Sequence, residues 1–185
     1  MSEPQTIGNG GGGKGVVVGV ADLVIAGEPQ RLVTFALASC IAITAHDPVL
    51  KIGGMLHFML PQPAENTDAR AIRDAMYATT GIPLLFRKLR EAGCVQGRLV
   101  VCAVGGAEVA SESSMFAIGK RNRTIMRTIF WQDGIALAAE DTGGAMARSM
   151  ALDLATGEVR VSTRDGERVL WPAGVPSSAP TTARP

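Results

Sequence analysis

The stretch "FALASCIAITAHDPVLKIGGMLHFMLP" (35–61) sets one cysteine and two histidines into an otherwise apolar run. Cysteine and histidine together can carry nucleophilic acyl transfer: imidazole takes the thiol proton during attack and later returns a proton to the leaving group. Asp47-Pro48 is a turn signal. A four-residue turn over 47–50 between two strands places Cys40 directly opposite His57, with both side chains on one face. Directly opposed Cβ atoms lie about 4.5–5.5 Å apart, which is hydrogen-bonding range for a thiol and an imidazole. Thr34, in the strand segment before Cys40, offers a hydroxyl to orient the far imidazole nitrogen. Ser39 is the polar side chain beside the nucleophile, so an oxyanion is expected to bind backbone N–H groups, that of Cys40 among them.

Two other readings of the same residues stand beside this one. Cysteine and histidine in apolar strands are commonly packing residues, and Cys40, His46 and His57 together form a candidate metal set. A bulge at Gly53-Gly54 would shift the register and send Cys40 and His57 to opposite faces. His46, beside the turn, is expected to be exposed and inert. Cys94 and Cys102 are expected to be packing residues.

These side chains must be held by strands. Residues 16–25 and 32–35 read as β, split by Gly-Glu-Pro at 27–29, and 40–46 and 52–60 flank the Asp-Pro turn. A helical pattern follows over 68–91, where Pro83 implies a kink near 80–83 or two helices. The run 98–104 reads as a buried strand ending at Gly105-Gly106. A second helix covers 119–132, with Ile118, Ile125, Met126, Ile129 and Phe130 on one side. On its other side Lys120, Arg121, Arg123 and Arg127 form a solvated face or a docking surface. A strand at 135–140 closes on "DTGG", and 157–171 forms a hairpin turning at Asp165-Gly166, which sets Val161 opposite Leu170. Strands come in runs, so the expected class is α+β, with largely antiparallel sheets and helices packed on their faces.

The chain has 185 residues, enough for one core; 16–171 is expected to be the folded unit, with disordered segments at 1–15 and 172–185. Its 18 basic and 17 acidic residues and 4% aromatics give neither an electrostatic footprint nor stacking platforms for nucleic acid. There is no signal-peptide pattern and no apolar run long enough to insert in a membrane, so a cytoplasmic location is expected. Three irregularly spaced cysteines make neither a disulfide framework nor a metal knuckle, and no cofactor is implied.

Six blocks occur in order: "VTFALASC", "HDPVLKIGGMLHFMLP", "YATTGIPLLFRKLREAG", "AVGGAEV", "IGKRN" and "AEDTGGAMARS". With these blocks the chain resembles the chemoreceptor glutamine deamidases, the CheD family of bacterial chemotaxis. The resemblance implies an α/β sandwich and a catalytic Cys40, His57 and Thr34. It implies hydrolysis of selected glutamine amides on the cytoplasmic helices of methyl-accepting chemotaxis receptors, through a cysteine thioester. A CheC-type phosphatase is a further implied partner, and a non-catalytic adaptor of the same fold is the alternative. Candidates for the substrate cleft are Ser39, Gly105, Gly106, Asn122, Thr142, Gly143 and Gly144. Asp141 to Gly143 also matches the aspartic protease triplet, but in a single copy. Two departures bear on substrate fit. Ala38 stands where the family has glycine, so its methyl could crowd the backbone, and Thr79 replaces an acidic residue after the "YA" pair.

Overall fold

The structure, a computed structural model, describes residues 6–7, 15–68, 72–108 and 117–175. The described residues form an α+β sandwich of two sheets and two α-helices, as the runs of strands imply. The first sheet has the order β1 (Thr6–Ile7), β2 (Gly15–Val17), β4 (Arg31–Leu37), β9 (Arg148–Asp153), β10 (Val159–Thr163) and β11 (Gly166–Trp171). The second has β3 (Asp22–Gly27), β6 (Ile52–Phe58), β5 (Ile41–Asp47), β7 (Val100–Gly105) and β8 (Ala139–Thr142). All pairings are antiparallel except β2–β4 and β7–β8. Most of the expected end segments, 1–15 and 172–185, lie outside the described residues.

Alternation along β5 explains the layering. Ile41, Ile43 and Ala45 join the cluster shared with α1 (Ala78–Glu91) and α2 (Ile118–Gln132), including Leu85, Met126 and Phe130. Ala42 joins the cluster between the sheets, with Met55, Met150 and Leu152. A strand covered on both faces reads as a continuous buried run, and β5 is buried throughout. Glycines 53 and 54 serve this layering. A Cβ at Gly53 would sit 2.7 Å from Leu154 on one side, and one at Gly54 would sit 2.7 Å from Leu85 on the other. No bulge forms there, and β5–β6 pairing runs unbroken through both residues.

The hairpin itself corrects the expected turn. Its loop is Pro48–Lys51, closed by the pair Asp47↔Ile52, so Ala42 stands opposite His57. Asp47 explains the difference, because it ends the strand as a cap. Its carboxylate accepts the N–H groups of Val49 (3.0 Å), Leu50 (3.3 Å) and Val95 (3.3 Å), and pairs with Arg98 at 2.7 Å. Burial pushes Asp47 up, but Arg98 and the three amides outweigh it and hold the carboxyl below its ordinary value. Its stabilising contribution is therefore full above the unfolded value of about 3.9 and fades as pH falls below it. Asp47→Ala is expected to cost about 2–3 kcal/mol in urea denaturation, with catalysis per folded molecule unchanged.

Other elements differ from the sequence reading: the strand expected at 135–140 is β8 at Ala139–Thr142, and β9 at Arg148–Asp153 has no counterpart in it. Residues 16–25 divide into β2 and β3 at a corner where Ala21 has φ +56°. The first helix begins at Ala78, after a 3₁₀ turn at Asp74–Met76, and Pro83 lies exposed within its second turn. The last hairpin turns at Arg164-Asp165, not Asp165-Gly166, so Val161 faces Arg168 and not Leu170. The Thr163 hydroxyl accepts the Asp165 N–H at 3.1 Å and fixes that earlier turn.

Candidate active site

Thr34 is buried on β4 and reaches across the inter-sheet layer to His57 of β6. Its hydroxyl donates to the Val18 carbonyl at 2.7 Å and lies 2.8 Å from His57 Nδ1. A carbonyl only accepts, so the single hydroxyl proton belongs to Val18. The Thr34 oxygen must then accept Nδ1–H from His57. That fixes the tautomer and leaves the lone pair on Nε2, which is buried without a hydrogen-bond partner. A bulge just past Thr34 makes the geometry possible: the β4–β9 register shifts between Thr34 and Leu37, and Ala36 takes φ +56°.

Cys40 lies in the bend of residues 38–40 that leads into β5. The expected direct opposition to His57 is corrected by the hairpin register above. The thiol packs against the inter-sheet cluster that holds Ala42 and Met55, the layer His57 also enters. Cys40 is thus beside the imidazole's layer but is not hydrogen-bonded to Nε2. Burial pulls the imidazole down to about 4, against the opposing charge of Asp22, its neighbour on β3. Burial also pushes the Cys40 thiol up, countered by its own backbone amide. Both groups are neutral near pH 7. His57 Nε2 thus keeps its lone pair free.

Three carbonyls of the bend at 38–40 are held by hydrogen bonds from two directions, the end of β7 and α2. That of Ala38 accepts from Ala107 N–H at 2.7 Å, that of Ser39 from Asn122 Nδ2 at 2.9 Å, and that of Cys40 from Gly106 N–H at 2.8 Å. In a trans peptide the N–H points opposite to the carbonyl before it. The amide of Ser39 is therefore turned away from Ala107, and that of Cys40 away from Asn122. Gly105 is required here twice over. It has φ +114°, and a Cβ on it would overlap the Cys40 carbonyl oxygen. The positive φ angles around this bend belong to Ala36 and Gly105, not to Ala38.

The remaining candidates gather behind this bend. Gly143 N–H bonds the Gly105 carbonyl at 2.8 Å, and the Gly144 carbonyl accepts from Glu108 N–H at 2.8 Å. Thr142 pairs with Gly105 across β7–β8, and its hydroxyl donates to Glu140 at 3.3 Å. Arg123 donates to the Gly106 carbonyl and to Glu108, and Gly143 packs on its guanidinium. The expected open basic face of α2 is thus partly spent on ion pairs, Arg123 with Glu108 and Arg127 with Glu140. Asp141 pairs with Arg148 and Arg168. Asn122 is fully buried, as a polar side chain among the cleft candidates, and both protons of its amide go to backbone carbonyls.

His46 corrects another expectation. It is buried, with Nε2 3.0 Å from the Leu154 carbonyl and Nδ1 packed close to Gly157. It sits opposite Gly53, toward the far end of β5 from Ala42 and His57. No group of three or more metal-ligating side chains forms among the described residues. Cys94 and Cys102 are buried, the latter with its thiol pushed up to about 12 by burial. Iodoacetamide is therefore expected to label half-buried Cys40 well ahead of the other two in the folded protein, checked by peptide mass spectrometry. Equal labelling of all three would contradict this arrangement.

No helix among the described residues is long and apolar enough to cross a membrane. The profile of the family described as "CheD chemotactic sensory transduction" matches residues 59–163. Among curated proteins, the chain is 42% identical over 151 residues to the probable chemoreceptor glutamine deamidase CheD 2 of Anaeromyxobacter dehalogenans (strain 2CP-C), covering 81% of this chain and 95% of that one. It is 36% identical over 152 residues to the probable chemoreceptor glutamine deamidase CheD 1 of Syntrophus aciditrophicus (strain SB), covering 82% and 95%. A third, the probable chemoreceptor glutamine deamidase CheD of Solibacter usitatus (strain Ellin6076), is 37% identical over 159 residues, covering 85% and 94%. With that identity and coverage, and with the ordered sequence blocks converging on one bend and its supports, this chain belongs to the CheD family.

Proposed function

We propose that this chain is a cytoplasmic protein-glutamine deamidase. It converts selected glutamines on the cytoplasmic helices of methyl-accepting chemoreceptors to glutamates through a thioester on Cys40. The observation that carries the reading is the Thr34–His57 hydrogen bond, which leaves Nε2 an unpartnered base in the layer beside Cys40. His46 also has one ring nitrogen bonded and the other unpartnered, so what distinguishes His57 is its place in the layer that Cys40 packs against. The names of the relatives point to the same substrate class.

In the first half-reaction the Cys40 sulfur adds to the side-chain carbonyl carbon of the glutamine, and its proton passes to His57 Nε2. Charge develops on the carbonyl oxygen, to which the backbone amides of Cys40 and Ser39 donate in this reading; preorganised donors of this kind contribute about 3–4 kcal/mol. The C–N bond then breaks, and imidazolium delivers the proton that lets the nitrogen leave as ammonia. In the second half, Nε2 takes a proton from water as its oxygen attacks the thioester. The C–S bond breaks, and the thiol regains its proton. One amide and one water become one carboxylic acid and one ammonia. Thr34 keeps Nδ1 protonated throughout, so Nε2 is the nitrogen that shuttles.

The test is incubation with a receptor cytoplasmic fragment. Ammonia release is expected, together with the mass gain of replacing an amide NH₂ by OH, with Cys40→Ala as control. A wild-type protein that binds the fragment but leaves its glutamines intact would instead support the adaptor reading.

A further inference from the structure

We propose that Asn122 is a positioning residue for deamidation, a side-chain rung that holds the nucleophile bend at a set distance from the strand end carrying the base. The inference rests on the roles proposed above for Cys40 and His57.

The β5–β6 ladder ends at Ile41↔Phe58. Cys40 lies one residue beyond the ladder on one strand, and Met59 one residue beyond it on the other. Asn122 stands at that open end. Its Nδ2 donates to the Ser39 carbonyl at 2.9 Å and to the Met59 carbonyl at 2.8 Å. One amide group thus spans the gap where the next ladder bonds would lie. It grips the peptide whose N–H belongs to Cys40 and the chain two residues past His57. Gly106 and Ala107 hold the bend toward β7, and Asn122 holds it toward the extension of β6.

A second observation separates this from ordinary packing. Asn122 lies in the apolar stripe of α2 between Ile118 and Met126 and is 0% exposed, a position that leucine could fill. Its Oδ1 is buried with no hydrogen-bond partner. An unsatisfied buried acceptor costs about 1–3 kcal/mol, so the amide is a poor choice for stability alone. What the amide supplies is two donors from one atom, aimed at carbonyls of the two chain segments just past the end of the β5–β6 ladder.

The experiment is steady-state kinetics on a receptor cytoplasmic fragment, expressed per folded molecule. Asn122→Ala is expected to lower kcat by about 10²-fold while KM changes by less than about threefold, because a misplacement near 1 Å has that effect on rate. If Asn122→Ala does not fold, Asn122→Asp preserves the shape and gives a second readout. Its ionised carboxylate cannot donate, but the protonated form regains one donor, so kcat should rise as pH falls across a range where wild type is flat. In a His57→Ala background the Asn122→Ala change should cost less than about tenfold, since there is no longer a base to align. Wild-type kcat in the folded variants, or an undiminished loss in the His57→Ala background, would overturn the proposal. Absence of deamidation by wild type would remove the functional reading and this inference together, and is distinguishable from an active wild type with an indifferent Asn122.

Discussion

Cys40→Ala is expected to abolish receptor deamidation, with a fall in kcat on the order of 10⁶-fold and binding of the receptor fragment retained. Chemistry and access both lead to this result. The other two cysteines cannot substitute, because both are buried and their thiols are raised by burial. Alanine keeps the bend, whose geometry depends on backbone carbonyls bonded to Ala107, Gly106 and Asn122 and not on the thiol. The variant should therefore fold and bind while having no atom able to form the acyl intermediate. Turnover within tenfold of wild type, measured by ammonia release, would mean that water attacks the amide directly and that Cys40 is a packing residue.

His57→Ala is expected to lower kcat by about 10²- to 10⁴-fold, the usual contribution of general acid–base catalysis. In the proposed reaction the imidazole serves first as base toward the thiol and then as acid toward the departing nitrogen. The pH dependence follows from its burial. Since the folded imidazole is pulled down to about 4, the acid limb of kcat/KM should lie near that value and not at the ordinary 6.5. The same shift bears on stability. The unfolded chain binds a proton on this residue between about 4 and 6.5 while the folded one does not, so stability rises with pH across that window. A His57→Ala enzyme with near-normal turnover, or a wild-type acid limb at 6.5, would show that His57 is not the acid and base of the reaction.

Much of the site is legible in the sequence because chemistry constrains residue type. A thiol, an imidazole and a hydroxyl spaced over three adjacent strand segments can be picked out by eye, and the Thr34–His57 contact forms as expected. Register is harder. Asp47 reads as the first turn residue, yet its carboxylate caps the following amides from the strand end, so the loop starts at Pro48 and Ala42 takes the place opposite His57. Thr163 does the same to the last hairpin with its hydroxyl. In both cases a side-chain bond to the backbone sets the turn, and backbone propensity alone does not reveal it. Strand β9 is hard to see, although Met150, Leu152 and Leu154 alternate, because charged and polar residues lie between and before them. Asn122 carries a clearer signal than its place among the cleft candidates suggests: a polar residue four positions from both Ile118 and Met126 falls in the buried stripe of α2 and must find partners there. His46 differs for the opposite reason, since nothing local marks a histidine whose partner, the Leu154 carbonyl, is supplied by the other sheet.

The most direct test of the central claim is intact-mass spectrometry of the protein, acid-quenched within one turnover of mixing with a glutamine-bearing receptor fragment. The expected result is a covalent adduct of fragment and protein with the mass of their sum less ammonia, mapped to Cys40 and released by hydroxylamine. It should accumulate further when hydrolysis of the thioester is slowed. Deamidated fragment appearing at full rate, with no adduct on Cys40 at any quench time and unchanged turnover after Cys40 is alkylated, would contradict a thioester on Cys40.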